Sequence, residues 1–211
     1  MKRAVKITSW IAVVFLICLT GTWWYLVKKA EWDARLLFNQ ALRLKVGNTS
    51  LPEVLDLLNT APGRKYGFEP CLAGLDGCTG TIYIANIWLF RFHLAPPIAF
   101  VTRFGISDNK LTNRELGVSL EGMYGKESYG LVSVNERVSA PDRSAFKVSG
   151  WSSGILVNMT TEAPENLKSL AYNFNFHCLV KIGGCKNYEE MLPILERKDL
   201  TGSNPWRITN K

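Results

Sequence analysis

One motif in the sequence could support hydrolysis. Residues 150–154 read GWSSG and match G-x-S-x-G, the nucleophile-elbow pattern, in which Ser152 would be the attacking residue. Such an elbow places the serine between a strand and a helix, above a parallel sheet. The runs on either side, AFKVS and ILVNMTT, are instead both typical of strands. The motif is therefore predicted to be a hairpin loop joining residues 145–149 to 154–160.

The two histidines add no catalytic partner. Downstream of Ser152 only His177 could complete a triad, and it adjoins Cys178. Neighbours in sequence point in different directions on a helix or strand, so His177 and Cys178 are not expected to form a dyad. His93 lies far from the motif, in a run predicted to be a strand. The chain also lacks the P-loop, G-x-G-x-x-G and H-E-x-x-H patterns, and no cofactor is expected.

Four cysteines form two equally spaced pairs. Cys71 and Cys78 bound the segment CLAGLDGC, and Cys178 and Cys185 bound CLVKIGGC. An even number of cysteines in a domain outside the cytoplasm indicates two disulfides. The short glycine-bearing loops favour closure within each pair, although four cysteines allow three pairings. Zinc is the alternative, but paired zinc ligands usually lie two to four residues apart, so we expect disulfides and no metal.

The N-terminal segment indicates the compartment. Residues 7–27 carry no charge and are long enough, as a helix, to cross the roughly 30 Å hydrocarbon core of a bilayer. Three basic residues precede this run: Lys2, Arg3 and Lys6. Three aromatic residues lie near its other end, where aromatic belts occur: Trp23, Trp24 and Tyr25. A cleaved signal peptide would have a shorter apolar stretch that ends in small residues. The short basic tail favours a cytoplasmic N-terminus and a C-terminal domain that is periplasmic or extracellular.

Composition argues against nucleic-acid binding. The net charge of +7 includes the three basic residues of the N-terminal tail, and the remaining excess is not clustered along one segment. The apolar share of 47% is normal for a folded chain. The expected partners are therefore the lipid bilayer, through residues 7–27, and an envelope protein, but no nucleic acid.

Two helices are predicted after the apolar run. The first covers residues 30–46 and has an apolar stripe made of Trp32, Leu36, Leu37, Ala41 and Leu44. The second begins at the capping-box pattern SLPE, in which Ser50 and Glu53 can exchange hydrogen bonds across the first turn.

The segment around the second helix resembles part of a known family. KVGNTSLPEVLDLL, within residues 45–62, is similar to a segment of the small outer-membrane assembly lipoproteins of the SmpA/OmlA type. In that family a Gly-x-Thr turn leads into a short helix, and a small antiparallel sheet follows the helix pair. The resemblance implies an envelope compartment and a helix–helix–sheet order. The lipidated-cysteine motif of the family has no counterpart in this chain.

The chain from Thr79 onward is typical of a sheet. Runs rich in β-branched and aromatic residues, from TIYIANIWLFRFHL to GILVNMTT, alternate with turn residues. The turn SDNK predicts a hairpin between residues 98–106 and 110–120. The spacing leaves no room for crossover helices, so about five to six antiparallel strands are expected. Residues 164–182 fit both helical spacing and strand alternation; a helix is predicted there, followed by a last short helix in NYEEMLPIL.

These elements predict an α+β chain in three parts. Residues 1–29 would form an N-terminal tail and transmembrane anchor, and residues 30–198 an extracytoplasmic domain with two helices, an antiparallel sheet and C-terminal helices. Residues 199–211 would form a loose tail.

Three functions fit this organisation. The first is a non-catalytic interaction or envelope-assembly module held at the membrane. The second is a ligand-binding domain with an apolar pocket between sheet and helix, lined by Trp88, Phe90 and Phe92. The third is a serine hydrolase at Ser152, which the strand-like flanks of the motif disfavour.

Overall fold

The fold is α+β, as predicted. The structure, a computed structural model, describes residues 2–67, 71, 77–120, 130–139, 145–151 and 154–197. This part of the chain contains one long N-terminal helix, several short helices and a seven-stranded sheet, so the strand count is higher than expected. The predicted loose tail at 199–211 lies outside the described residues.

The apolar run and the first predicted helix form one continuous helix, α1, from Lys2 to Arg43. The expected boundary between residues 29 and 30 therefore falls inside a helix. No proline or glycine interrupts the chain near this boundary, and ion pairs at helical spacing cross it. These pairs are Lys28–Glu31 and Lys29–Asp33, and the pair Arg35–Glu31 follows directly after them. A rigid helix thus connects the apolar N-terminal segment to the folded domain.

The face of α1 that packs on the domain differs from the predicted stripe. Trp32 and Leu36 are about half exposed, whereas Leu37 and Ala41 are fully buried. The buried face also includes Ala34, which lies one turn before Leu37 and was not in the predicted stripe. The prediction from apolar spacing was displaced around the helix from the face that is buried. Apolar residues on both sides of the buried face make the apolar pattern wider than that face.

Helix α2 (Leu51–Thr60) begins where the capping pattern placed it. The Glu53 carboxylate accepts hydrogen bonds of 2.8 Å from both the backbone N–H and the hydroxyl of Ser50. These bonds hold the Glu53 pKa below its ordinary value, the backbone bond contributing most. The buried face of α2 consists of Val54, Leu57 and Leu58.

The sheet has the order β1-β2-β3-β4-β5-β7-β6. Its strands are β1 (Arg64–Tyr66), β2 (Cys78–Ala85), β3 (Ile98–Ser107), β4 (Lys110–Leu120), β5 (Gly130–Arg137), β6 (Phe146–Trp151) and β7 (Gly154–Thr160). The predicted hairpin is confirmed, because β3 and β4 pair antiparallel around Asp108 and Asn109, which both adopt positive φ.

The prediction of a fully antiparallel sheet is wrong at one place. Strands β5 and β7 pair in parallel, whereas every other neighbouring pair among the described strands is antiparallel. A parallel pair needs a crossover of a dozen or more residues. Residues 138–153 are numerous enough for such a crossover, and they include β6, which lies at the outer edge of the sheet and pairs antiparallel with β7.

A short helix replaces the end of a predicted strand. Strand β2 stops at Ala85, and α3 (Ile87–Arg91) follows, in a run whose aromatic content suggested a strand. The cause is the buried Asn86. Its side-chain amide donates to Pro96 O at 3.0 Å and accepts from Ile98 N at 2.9 Å, which closes the chain between β2 and β3 into a compact loop.

The C-terminal segment combines both patterns that its sequence suggested. Helix α4 (Glu165–Ala171) is shorter than the helix predicted over 164–182. Tyr172, Phe174 and Phe176 then alternate inward, and a 3-10 turn covers Phe176–Leu179. The last predicted helix is present as α5 (Tyr188–Met191) with a further 3-10 turn at Pro193–Glu196.

Aromatic side chains fill the core between α1 and the sheet. The ring of Phe38 lies 5.2 Å from that of Phe176, 6.0 Å from that of Phe174 and 6.2 Å from that of Phe100, all edge to face. Rings in this arrangement stabilise a core by about 0.5–1.5 kcal/mol per pair beyond the burial of their area. The alternating C-terminal residues thus bind α1 to the sheet.

A buried ion pair fastens the far end of α1. Arg114 on β4 pairs with Glu136 on β5. It also donates to the carbonyl oxygen of Ala41 in the last turn of α1, at 2.6 Å, and to that of Leu44 directly after α1, at 2.7 Å. The Tyr172 hydroxyl donates to Glu136 at 2.8 Å, and burial raises the Tyr172 pKa above its ordinary range. The last carbonyls of α1 therefore find their partners in a side chain of the sheet.

Candidate functional site

The strands that were predicted on either side of the GWSSG motif are present. Strands β6 and β7 pair antiparallel on either side of it, with Trp151 opposite Gly154. Ser152 itself lies outside the described residues. A strand follows the motif where a nucleophile elbow has a helix. His177 is exposed in a 3-10 turn, and His93 is exposed in the turn after α3 with φ 56°, so the latter is not in a strand.

The four cysteines form two local disulfides. Cys71 bonds to Cys78 and Cys178 to Cys185, with Cα atoms 5.2 Å and 5.1 Å apart. This is the pairing favoured by the sequence. The second disulfide closes a loop that contains Gly183 and Gly184, both at positive φ, and the Gly183 N–H donates to Leu94 O at 2.7 Å. The loop is thereby fixed against the segment that follows α3.

A well-formed cavity lies where α1 meets the N-terminal edge of the sheet. Its volume is about 750 Å³, within the range of small-molecule sites. One wall is the segment of α1 that directly follows the aromatic residues, with Leu26, Val27 and Ala30. The opposite wall is formed by α3 and the adjoining strand ends, with Trp88 and Leu89 among its residues.

Few polar groups line this cavity. Lys29 and Asp33 are at its margin and form an ion pair of 2.5 Å with each other. Arg64, on the exposed edge strand β1, also lines the cavity and has no ion-pair or hydrogen-bond partner among the described residues. The cavity therefore combines apolar walls with one unpaired cation at its margin.

The cavity lies between sheet and helix, but only one of its predicted lining residues belongs to it. Trp88 lines the cavity, whereas Phe90 and Phe92 do not, and the latter two are 43% and 53% exposed. The prediction assumed a strand, on which residues 88, 90 and 92 would share a face. In the helical turn Phe90 points away from Trp88, whereas the Phe92 ring stacks on that of Trp88, with centroids 6.5 Å apart, outside the cavity. No protein family, curated protein or solved structure matches this chain.

No local pattern in the sequence predicted the remaining cavity residues. They come from α1, β1, β2, α3, the start of β3 and the 3-10 turn Phe176–Leu179, so that residues far apart in the chain share one surface. Tyr66 and Tyr83, for example, form one wall with ring centroids 5.2 Å apart, because β1 pairs with β2 at this register. Such a wall is visible only once the pairing of the strands is known.

Helix α1 carries the apolar segment next to the cavity. By length and composition it is the one helix among the described residues that could cross a membrane. Residues 10–22 are all exposed, and Trp23 is the first described residue of α1 that is partly covered. The Trp23 ring contacts that of Phe92, with centroids 4.8 Å apart. The cavity and α3 thus lie directly beside the end of the apolar segment.

Proposed function

We propose that this chain is a single-pass membrane protein whose extracytoplasmic domain binds an amphipathic ligand in the cavity between α1 and the sheet. The observation that carries the proposal is the apolar cavity of about 750 Å³ beside the end of the apolar helix. An amphiphile that leaves the bilayer next to α1 would meet this cavity first.

The membrane part of the proposal is supported by exposure and charge. The side chains of residues 10–22 would face water in a soluble protein, although none of them is charged. Contiguous apolar surfaces of this extent mark contacts with a membrane or a partner. Two disulfides in the remainder of the chain favour an oxidising compartment for the domain. The basic residues before Ile7 favour a cytoplasmic N-terminus.

The ligand class follows from the cavity walls. Leu26, Val27 and Leu89 offer apolar contacts suited to an acyl chain. Arg64 at the margin can donate to a carboxylate or phosphate, and its guanidinium presents several donors in one plane. An amphiphile with an anionic headgroup satisfies both features.

Ligand binding is preferred to the interaction or assembly module because of the cavity. The module hypothesis depends on the proposed compartment and on a short resemblance, and no described surface selects an envelope protein. A hydrolase at Ser152 is disfavoured by the hairpin on either side of it. The cavity, in contrast, has a defined position, volume and chemistry.

A substitution that fills the cavity tests this function. Ala85 at the end of β2 lines the cavity, so Ala85→Phe would occupy part of it, whereas Thr79→Phe places the same ring on an exposed position of the same strand. We expect the purified full chain to bind a fluorescent long-chain fatty acid. Affinity should fall about tenfold or more in Ala85→Phe, which corresponds to about 1.4 kcal/mol, and should be retained in Thr79→Phe.

A second variant separates headgroup from chain recognition. Arg64→Gln should weaken binding of the fatty acid by about 1 kcal/mol, a modest loss because the guanidinium is exposed to solvent. Binding of the matching long-chain alcohol should be unchanged. Equal and weak binding by the wild type and all three variants would contradict the proposal. Thermal unfolding of each variant checks that its fold is retained.

The orientation has its own test. Protease added to intact spheroplasts should digest residues 30–211 and leave the basic tail protected. Digestion of the tail alone would reverse the orientation, and a mature protein that starts beyond residue 20 would indicate a cleaved signal.

A further inference from the structure

We propose that α3 and the adjoining disulfide loop form a second membrane contact, which inserts into the interfacial layer of the same bilayer that α1 crosses. We call this surface the interfacial patch and define it by five exposed apolar residues: Ile87, Phe90, Phe92, Leu94 and Ile182. The inference rests on the proposed span of α1 and is independent of any ligand in the cavity.

The depth of the patch follows from the length of α1. The uncharged residues that precede the first contact with the domain, 7–22, form about 24 Å of helix. A hydrocarbon core of about 30 Å is thicker than this. Trp23, the point where α1 first contacts the domain, must therefore lie in the membrane interface or deeper, in the hydrocarbon core. Because the Phe92 ring is 4.8 Å from the Trp23 ring, Phe92 lies at the same depth.

The side chains of the patch are arranged for such a contact. In α3 the buried Leu89 faces the domain, whereas Ile87 and Phe90 lie on the opposite face and are 48% and 43% exposed. Ile182 is 73% exposed at the tip of the loop closed by Cys178–Cys185.

The loop and the segment after α3 are one unit. The hydrogen bond from Gly183 N to Leu94 O, 2.7 Å long, places the tip of the loop beside Leu94. At Gly184 a Cβ would lie 2.7 Å from the Ile98 side chain, so the backbone of the loop is pressed against the start of β3. The disulfide thus presents Ile182 on the same side of the domain as α3.

Charge favours a lipid surface as the occupant. The segments 86–98 and 178–187 contain no acidic residue, but they contain Arg91, Lys181 and Lys186. Lys181 pairs with Glu190 at 2.9 Å, whereas Arg91 has no ion-pair or hydrogen-bond partner among the described residues. Aromatic and aliphatic residues bordered by cations are characteristic of segments that lie in a membrane interface. The continuity of this surface with the end of α1 makes the bilayer the occupant.

Spin labels on the full chain test the inference. In a Cys18→Ser background, single cysteines are introduced at Phe90 and Leu94 of the patch, at Phe15 in the apolar segment, and at Val138 as the matched control. Val138 is 49% exposed, similar to Phe90, and lies beside Gly47, beyond the end of α1 and about 30 Å along that helix from Trp23. The labelled proteins are reconstituted in phosphatidylcholine–phosphatidylglycerol nanodiscs. Power saturation then measures the accessibility of each label to oxygen, which partitions into lipid, and to a water-soluble nickel chelate.

The Phe90→Cys and Leu94→Cys labels should resemble Phe15→Cys, with high oxygen and low nickel accessibility, whereas Val138→Cys should show the reverse. If both patch labels are accessible to nickel while Phe15→Cys remains in lipid, the patch faces water and the inference is wrong although the span stands. Low accessibility to both reagents would indicate a protein covering the patch and would also overturn it. If Phe15→Cys is itself accessible to nickel, the proposed span fails first.

Discussion

Arg114 is expected to be the most sensitive charged residue of the domain. Its side chain is 5% exposed and that of Glu136 is 8% exposed, so their ion pair is buried. Arg114→Met keeps most of the side-chain length but removes the charge and every donor. It leaves Glu136 with the Tyr172 hydroxyl, at 2.8 Å, and with Lys168, whose ammonium is 3.7 Å away. It also leaves two carbonyls at the end of α1 without their partner.

The expected loss follows from the burial of the remaining charge. Removing one partner of a buried ion pair typically costs about 3–5 kcal/mol, because the other charge stays desolvated. Lys168 partly compensates, so the lower end of this range is expected for the pair. The two carbonyl oxygens that lose their donor, Ala41 O in α1 and Leu44 O directly after it, add to the loss. We therefore expect Arg114→Met to lower the free energy of unfolding by about 3–5 kcal/mol.

The chain provides a matched control in the same sheet. Arg103 on β3 pairs with Glu115 on β4 at 3.0 Å, but its side chain is 44% exposed. Exposed pairs contribute about 0–1 kcal/mol, so Arg103→Met should change stability little. The assay is chemical unfolding of the full chain in one detergent, followed by tryptophan fluorescence. Amide hydrogen exchange should also show that the last turn of α1 opens in Arg114→Met and not in Arg103→Met.

A double variant refines the argument. Arg114→Met combined with Glu136→Leu removes both charges, so it should be less destabilising than Arg114→Met alone. If Arg114→Met costs no more than Arg103→Met, or if the double variant is the least stable of all, the reasoning from burial is refuted.

Two further predictions concern the disulfide loop and the junction of α1 with the domain. Gly184→Ala should lower the free energy of unfolding by about 1–3 kcal/mol more than Gly183→Ala. Both glycines have positive φ, but only a Cβ at Gly184 meets the Ile98 side chain. Equal losses in chemical unfolding would contradict this prediction. Burial of Glu31 raises its pKa, but hydrogen bonds from Arg35 and Lys28 outweigh burial and hold the pKa below 4.5. The stability that Glu31 contributes is therefore complete above pH 4.5 and is lost as the pH falls through the lowered pKa. As the pH falls below 4.5, the free energy of unfolding of Glu31→Gln should therefore decrease less steeply than that of the wild type. The same pH dependence in both proteins would refute the prediction.

Features set by local chemistry were predictable from the sequence. The β3–β4 hairpin follows from Asp108 and Asn109, which accept positive φ, and its strands end within a residue of the predicted bounds. The start of α2 follows from the capping residues around Ser50. In each of these cases the deciding contacts join residues close together in sequence.

Features set by distant contacts were not predictable in this way. The run at 87–92 resembles a strand in composition, and it is helical because Asn86 bonds to the backbone ten and twelve residues ahead. The parallel pairing of β5 with β7 depends on which edge β6 joins. The cavity draws its walls from six separate elements, so neither its place nor its lining could be read from spacing.

The continuity of α1 links the proposed anchor to the proposed site. A flexible linker after the apolar segment would leave the domain free to turn on the membrane. One helix from the apolar segment to Arg43 instead fixes the height and rotation of the domain, since the same helix packs on the sheet through Leu37 and Ala41 and is held at its end by Arg114. The cavity is lined by the last residues of the apolar segment, Leu26 and Val27, and by the turns of α1 that follow, so its distance from the bilayer is set by helix geometry. A helix break between Lys28 and Ala30 should therefore release the interfacial patch from the membrane while leaving the core of the domain folded. The test is an insertion of three glycines at this place, with the nickel accessibility of a Phe90→Cys label as the readout. If the rigid helix holds the patch in the membrane, the insertion raises this accessibility to that of Val138→Cys. If the patch binds lipid by itself, the accessibility stays low.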